Sequence, residues 1–506
     1  MLRFLTAAVL VSTAIAQDYY SAALDGAQEA PPVATAGRGW GIVRFDPASS
    51  SVRIFVYYEG TTGPGVASHL HVGPVGVSGP IIVPLSPASP NTYTGTGVLT
   101  AANAAALAAN GTYLNVHTAA FPGGEVRGQV VPAASTRFTG LLTGAQETPP
   151  NASTATGTVI AFLHEPDGRV VYDINSTGLV NVTAAHMHQG PTGVAGPIVF
   201  GLNGGAGQYC GVSDRLTAAQ ITTMKANGMY MNIHTNAFAG GEIRAQLIKD
   251  LGDHWSARLN GAQEVPPVPT NGLGDVQMIL SPSGLLTLTG AYSGLLGPTI
   301  LAHIHLGAVG VAGPIVVPIS FSGGTLSATF FPTAADLTNL RAGNWYVNVH
   351  STVFSGGEIR GQLTPAKLPA PFGEGCLGSN GVRPQSGATG FASIGSPMSI
   401  NLFGALPGGI ELFAFGPSRD TASGVIPLPV ELTTLGIASP NCFLLVDPQA
   451  ILVVIADPFG CASQTLNVPF TPALRGLTFF SQWVSLDPLA TPSGFVTSSA
   501  LPLLIQ

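Results

Sequence analysis

Residues 69–83 read His69-Leu70-His71-Val72-Gly73-Pro74-Val75-Gly76-Val77-Ser78-Gly79-Pro80-Ile81-Ile82-Val83, and this stretch decides the fold. Side chains alternate across a β-strand, so His69 and His71 share one face while Leu70 points into a core. The glycines spaced by three, ending in Gly79-Pro80, make a tight loop, and an apolar strand follows. A phosphate cradle needs a helix directly after its glycines, usually with a lysine; here a strand follows, so the loop reads as a turn between strands.

The stretch occurs three times. His186-Met187-His188 is followed by Gly190, Gly193 and Gly196-Pro197, and His303-Ile304-His305 by Gly307, Gly310 and Gly313-Pro314. A lone histidine comes 46, 46 and 45 residues after each pair, at His117, His234 and His350. A glutamate follows eight positions later (Glu125, Glu242, Glu358) and an arginine two beyond it (Arg127, Arg244, Arg360). Each copy opens with Gly-Ala-Gln-Glu-x-Pro-Pro, at Gly26–Pro32, Gly144–Pro150 and Gly261–Pro267, which places Glu29, Glu147 and Glu264 at matching positions. Nine of the eleven histidines belong to this pattern, so each repeat carries three imidazoles in a fixed arrangement. The period is that of a small domain rather than of a solenoid unit.

Between these motifs, alternating runs such as Ser51–Tyr58 predict strands. Thr100 to Asn110, Thr217 to Gly228 and Thr333 to Gly343 predict one short helix per repeat, with threonine as N-cap and, in the first copy, Gly111 just past the end. The expected architecture is all-β: three tandem immunoglobulin-like or superoxide-dismutase-like β-sandwiches, each with one short helix, and a C-terminal β-sandwich. The expected boundaries are residues 1–16 as a signal peptide, repeats at 17–134, 135–250 and 251–365, a linker at 366–375, and a histidine-free domain at 376–506, read as an attachment or structural module.

Composition fits this reading. Gly (65) and Pro (41) punctuate a 506-residue chain in which only 8% of residues are charged. A net charge of −7 without a basic run argues against nucleic acid and anionic membrane surfaces. Arg3, the apolar stretch Phe4–Ile15 and the small residues of Ala14-Ile15-Ala16 form a secretory signal pattern, and no later apolar run is long enough to span a membrane. The mature chain is therefore expected to be secreted, on the cell surface or periplasmic. Export permits disulfides among Cys210, Cys376, Cys442 and Cys461. Cys442–Cys461 is the first-choice pair, and Cys210 has no partner within its own repeat.

His-x-His on one strand and a third histidine on a neighbouring strand form a set able to hold zinc or copper with a fourth position left over. Glu125, Arg127, Glu242, Arg244, Glu358 and Arg360, with Glu29, Glu147 and Glu264, would then orient the imidazoles from outside. Two other readings stay open: a purely structural polar cluster, and a site for an organic ligand. No catalytic serine elbow or paired carboxylates stand out.

The ordered set Gly-Ala-Gln-Glu-x-Pro-Pro, His-x-His-x-Gly and Asn-Val-His-Thr…Gly-Gly-Glu-Val-Arg-Gly-Gln resembles the chordin (CHRD) domain, in three copies over about residues 18 to 365. Copy two departs with Ala245 in place of a glycine, and copy three has Ser351 after its lone histidine. The resemblance implies an exported β-sandwich protein that works by binding, without catalysis, to an extracellular protein or polysaccharide. Without the Cys-rich modules of chordin, growth-factor antagonism does not carry over. The alternatives are a copper or zinc metalloprotein with a redox or storage role, and a cell-surface spacer. The His-x-His strand is similar to the copper strand of superoxide dismutases at the level of fold alone. The C-terminal quarter resembles modules at the ends of exported bacterial proteins.

Overall fold

The computed structural model describes residues 18–505 apart from 133–134, 165–167, 206, 250–253, 281–283, 367–368, 390, 393, 395–396, 470, 472–473 and 475. The signal pattern at 1–16 lies outside the described residues.

In the first repeat, β1 (Asp18–Asp25), β2 (Arg38–Asp46), β3 (Ser51–Glu59), β4 (Gly65–Val72), β5 (Ile81–Ser89), β6 (Thr92–Val98), β7 (Thr112–Thr118) and β8 (Val126–Pro132) close an antiparallel barrel in the order β1-β2-β3-β6-β5-β4-β7-β8. The two faces expected of a sandwich are thus continuous through their edges, which leaves no unpaired strand in the ring. Repeats 2 and 3 keep the same neighbour order in ten-stranded sheets. There the counterpart of β5 is broken in two, into Ile198–Gly201 and Gly204–Gly205, and into Ile315–Pro318 and Ser320–Ser322, so the ring opens at that seam.

Alternation builds the core as the sequence predicts. Leu70, Met187 and Ile304, between the paired histidines, are fully buried, as are Leu114, Met231 and Val347 on the strands of the lone histidines. Helix α1 (Ala101–Ala108) and its counterparts Ala218–Lys225 and Ala334–Arg341 each start at the predicted threonine, whose hydroxyl accepts a backbone N–H in the first turn. Gly111 lies just past the end, as expected, and the left-handed residue before it is Asn110 (φ 58°), with Asn227 (φ 60°) and Gly343 (φ 72°) in the other copies. Asparagine tolerates this conformation better than other residues with a Cβ, and so takes glycine's place.

The repeated Gln of Gly-Ala-Gln-Glu ties the opening turn to the closing strand. The side-chain oxygens of Gln28, Gln146 and Gln263 accept the backbone N–H of Gln129, Gln246 and Gln362.

The C-terminal domain packs a three-stranded sheet (Gln385–Thr389, Pro397–Phe403, Ala462–Asn467) against a four-stranded one (Ala450–Ile455, Ile410–Gly416, Thr478–Leu486, Phe495–Leu504) around Ile400, Leu402, Phe413, Trp483 and Leu501. Of the stretch read as a linker, Phe372 is buried and pairs with Ala500 through both backbone bonds, so this part of the chain is built into the domain.

The domain is a hub rather than a tail. Trp40, Ile42, Phe55 and Tyr57 of repeat 1 pack on Phe372, Phe443 and Phe480, while Glu59 takes Arg383 and Arg44 takes Asp420. Phe162 and Val171 of repeat 2 pack on Phe403, and Arg169 and Arg215 converge on Glu374. His254 of repeat 3 lies 4.2 Å from the Phe391 ring. His164 and His254, the two histidines outside the triads, both sit at these contacts.

The disulfides correct the expected pairing. Cys210 of repeat 2 joins Cys461 and Cys376 joins Cys442; Cys442 and Cys461 are not partners. Proximity in sequence misled, because repeat 2 packs its outer face on the hub and thereby supplies the partner that Cys210 lacks in its own repeat.

Two outcomes follow. Non-reducing peptide mapping should recover Cys210 linked to Cys461 across a separation of 251 residues, and Cys210→Ser with Cys461→Ser should cost up to about 5 kcal/mol of stability. Recovery of a Cys442–Cys461 peptide would contradict the arrangement. Second, Glu411 is fully buried with Oε1 unpartnered. Burial, outweighing the hydrogen bond from Ser485, and the nearby Asp487 push its carboxyl up to about 7. A raised carboxyl favours the folded state while protonated, so that stability is complete below about pH 4.5 and is lost as pH rises through 7. Glu411→Gln should remove this loss, on the order of 1–3 kcal/mol, in urea titrations compared at pH 5 and pH 8.

Candidate metal centre

The antiparallel register sets His69 opposite Asn115 and His71 opposite Tyr113, so the outward face of β4 meets the outward face of β7. A register shift between Leu70 and His71 against β5 recurs between Met187 and His188 and between Ile304 and His305. Such a bulge re-aims the side chain beside it. The result is convergence: in each of the triads His69/His71/His117, His186/His188/His234 and His303/His305/His350, one nitrogen per ring lies within 4.8 Å of the others.

The ring protons are fixed by backbone. His71 Nδ1 lies 2.9 Å from the Gly79 carbonyl, and His188 and His305 make the same bond to Gly196 (2.9 Å) and Gly313 (3.0 Å). The lone histidines bond through Nδ1 to the carbonyls of Pro122, Ala239 and Ser355 at 2.9–3.0 Å. A carbonyl only accepts, so in each neutral ring Nδ1 holds the proton and Nε2 presents a lone pair. Nε2 of His71, His188 and His305 is buried without a partner. The remaining ring approaches through Nδ1, with His69 3.2 Å from His117 Nε2 and His303 3.3 Å from His350 Nε2.

Burial first, then the neighbouring imidazoles, pushes His69 down to about 4. The same causes lower His186 and His303, and burial lowers His71, His117, His188, His305 and His350. These rings are therefore neutral near pH 7, the form that ligates metals.

A layered stack holds the second imidazole of each pair. His71 stacks on Tyr113 (4.7 Å, 8°) and Arg127 lies over the other face of Tyr113 (3.5 Å); His188–Tyr230–Arg244 and His305–Tyr346–Arg360 repeat it. Each arginine also bonds the glycine loop, at the carbonyls of Pro74, Pro191 and Ala308. The arginines thus act on the site through tyrosine.

The nine glutamates and arginines named from sequence divide into three roles. Glu125 accepts hydrogen bonds from Thr35, Thr62 and Thr118. Glu242 accepts from Ser153 and Thr235, and Glu358 from Thr270 and the Leu296 N–H. These three are loop staples, remote from the rings in bonding. Burial pushes the Glu125 carboxyl up, but its hydrogen bonds outweigh that and hold it below its ordinary value. Glu29, Glu147 and Glu264 instead face the site, each with a buried unpartnered Oε1. Burial, opposed by the facing arginine, pushes Glu29 and Glu264 up to about 7 and raises Glu147.

Tyr113, Tyr230 and Tyr346, and Asn115, Asn232 and Asn348, were not named as site residues from sequence. The signal was there: they alternate with the lone histidine on the same strand face.

Taken with this geometry, comparison with known proteins is direct. The CHRD domain model matches residues 20–130, 138–247 and 255–363, and the chain belongs to the CHRD domain family. No curated protein matches it. Among solved structures it is similar to the native Escherichia coli alpha-2-macroglobulin, with 10% identity over 96% of this chain and a TM-score of 0.15, and it spans 32% of that protein's length. It is similar also to a tetra-tandem repeat from the extending region of a large adhesion protein, with 11% identity, 90% of this chain, 96% of the other and a TM-score of 0.13.

Arg127→Lys should lower the stability of repeat 1 by about 1–2 kcal/mol in thermal or urea unfolding, since lysine cannot keep the planar stack. An unchanged midpoint would show that the stack does not hold the site.

Proposed function

We propose that the protein binds one transition-metal ion, zinc or copper, in each of its three repeats, and that it works as an exported binding protein rather than as an enzyme. The observation that carries this is the ring-proton arrangement: backbone carbonyls take the Nδ1 protons of two rings per triad and leave their lone pairs facing inward. Nε2 of His117 and His350 can accept from Nδ1 of His69 and His303, but a cluster built only to hold the sheet together would also give the second ring of each pair a partner. Here the Nε2 atoms of His71, His188 and His305 are buried and unused, a cost of about 1–3 kcal/mol each that an ion would offset. Imidazole nitrogen suits zinc and copper better than calcium or magnesium. The Nδ1–carbonyl bonds are the outer support that metal-ligating histidines usually have. Two disulfides favour an oxidising compartment, in line with the signal pattern, so we place the protein outside the cytoplasm. The hub packs on β2 and β3 of repeat 1 and on their counterparts in repeat 2, strands other than those that carry the triads; an extracellular protein or polysaccharide is the proposed partner class.

Protein prepared without an affinity tag should carry or take up one equivalent of zinc or copper per triad, measured by elemental analysis. The combined His71→Ala, His188→Ala and His305→Ala variant should take up none. Metal in excess at about 100 times Kd should raise wild-type stability by roughly 3 kcal/mol and leave that of the variant unchanged. A wild type that cannot be loaded would end this reading.

A further inference from the structure

One neutral side chain per repeat points into the same space as the imidazoles. Asn115, Asn232 and Asn348 are 2%, 3% and 5% exposed, two residues before the lone histidine. Asn115 Oδ1 lies 3.1 Å from His117 Nε2, and Asn232 Oδ1 lies 3.0 Å from His234 Nε2. In repeat 3, Asn348 Oδ1 and His305 Nε2 are both buried without partners.

Such a contact is ordinarily a hydrogen bond, yet here there is no proton to share. His117 and His234 have their ring protons on the carbonyls of Pro122 and Ala239, so each turns a lone pair toward the amide oxygen. Two acceptors at this distance repel. Rotating the amide would turn its nitrogen to the ring and relieve the repulsion, but the glutamate behind the amide opposes this. Beside Gly241, Glu147 Oε1 and Asn232 Nδ2 stand 2.4 and 2.8 Å from where a Cβ would be, and Asn348 Nδ2 lies 3.4 Å from Glu264 Oε2. In repeat 1 Glu29 Oε1 and Asn115 Nδ2 close on one point beside Gly124, 2.4 and 3.0 Å from where a Cβ would stand. That residue, with its counterparts Gly241 and Gly357, has φ of 126–130°, a backbone only glycine adopts readily. In its ionised form a carboxylate in this place accepts from the amide nitrogen, which leaves the oxygen toward the lone histidine, as in repeats 1 and 2.

We propose that Asn115, Asn232 and Asn348 each give an amide oxygen as the fourth ligand to the metal of their repeat, held in that orientation by Glu29, Glu147 and Glu264. This rests on the metal reading above. A cation between the lone pair and the oxygen replaces the repulsion with two bonds. The spacing fits, since adjacent ligands of a tetrahedral ion with bonds of about 2.0–2.2 Å stand roughly 3.3–3.6 Å apart, and the observed 3.1 and 3.0 Å need open only slightly. Three imidazoles and an amide close the coordination sphere. Such a site holds an ion without an open position for substrate, as structural sites do, and its neutral ligands leave the charge of the ion to be balanced by the glutamate one residue farther out.

The full chain loaded with Co(II), whose visible spectrum reports coordination, and titrated with azide tests this. The wild type should show the intense bands of a four-coordinate ion and resist azide. The combined Asn115→Ala, Asn232→Ala and Asn348→Ala variant should bind Co(II) roughly 10–100-fold more weakly, with bands that shift on adding azide. Equal azide shifts in wild type and variant would overturn the asparagine assignment and leave the metal reading standing. A wild type that binds no Co(II), zinc or copper would overturn both. Should the alanine variant fail to fold, the aspartate replacements Asn115→Asp, Asn232→Asp and Asn348→Asp serve instead. An anionic oxygen ligand should shift the Co(II) bands and tighten binding at least tenfold, whereas unchanged bands and affinity would overturn the proposal.

Discussion

The hydrogen bond from a histidine Nδ1 to a backbone carbonyl, made twice in every repeat, is the interaction on which the arrangement of the site depends. It is a small bond, about 1 kcal/mol net, but it decides which nitrogen holds the proton and which way the lone pair faces. The glycine loop after each His-x-His exists to bring its carbonyl there. Gly79, Gly196 and Gly313 lie so close to the chain before the loop that a Cβ would stand 1.6–1.7 Å from a backbone oxygen. The loop is in turn held by the arginine that lies on the tyrosine, which lies on the histidine. Loop, stack and ring therefore form one unit, and a change in any one loosens the others.

The same economy explains how so few charges serve the whole chain. Only 8% of residues are charged, yet each repeat buries two glutamates and an arginine. One glutamate ties loops through threonine and serine hydroxyls, and the other faces the histidine cluster. Buried charges of this kind add little to stability and much to uniqueness of geometry only where every partner is supplied. The unpartnered Oε1 atoms of Glu29, Glu147 and Glu264 stand apart from that rule, and they lie where an ion would alter the balance of charge. The hub domain adds rigidity from the opposite side, through aromatic packing on repeat 1 and a covalent link to repeat 2.

Much of this was legible in the sequence because two physical periods are strong there. The two-residue alternation of strands put His69, His71 and His117 on one face and Leu70 in the core, and the near-identical spacing in three copies announced the repeats. Threonine caps located the helices. What was not legible depended on contacts between distant segments. Cys210 and Cys461 meet only because repeat 2 docks on the hub, and no local spacing reports that. Glu125 shares a strand face with Arg127, but the turn at Gly123-Gly124 sends its carboxylate to Thr35 and Thr62, on loops that the sequence cannot place. The closing of β1 on β8 into a barrel likewise rests on long-range pairing.

Anomalous diffraction from crystals of the zinc-loaded protein tests the central claim most directly. The account predicts one strong peak at the centre of each triad, among His69, His71 and His117 and their counterparts, with an asparagine oxygen in the coordination sphere. Peaks confined to other residues, or ordered density with the three rings of each repeat bonded to one another or to water and no metal under saturating zinc, would contradict it.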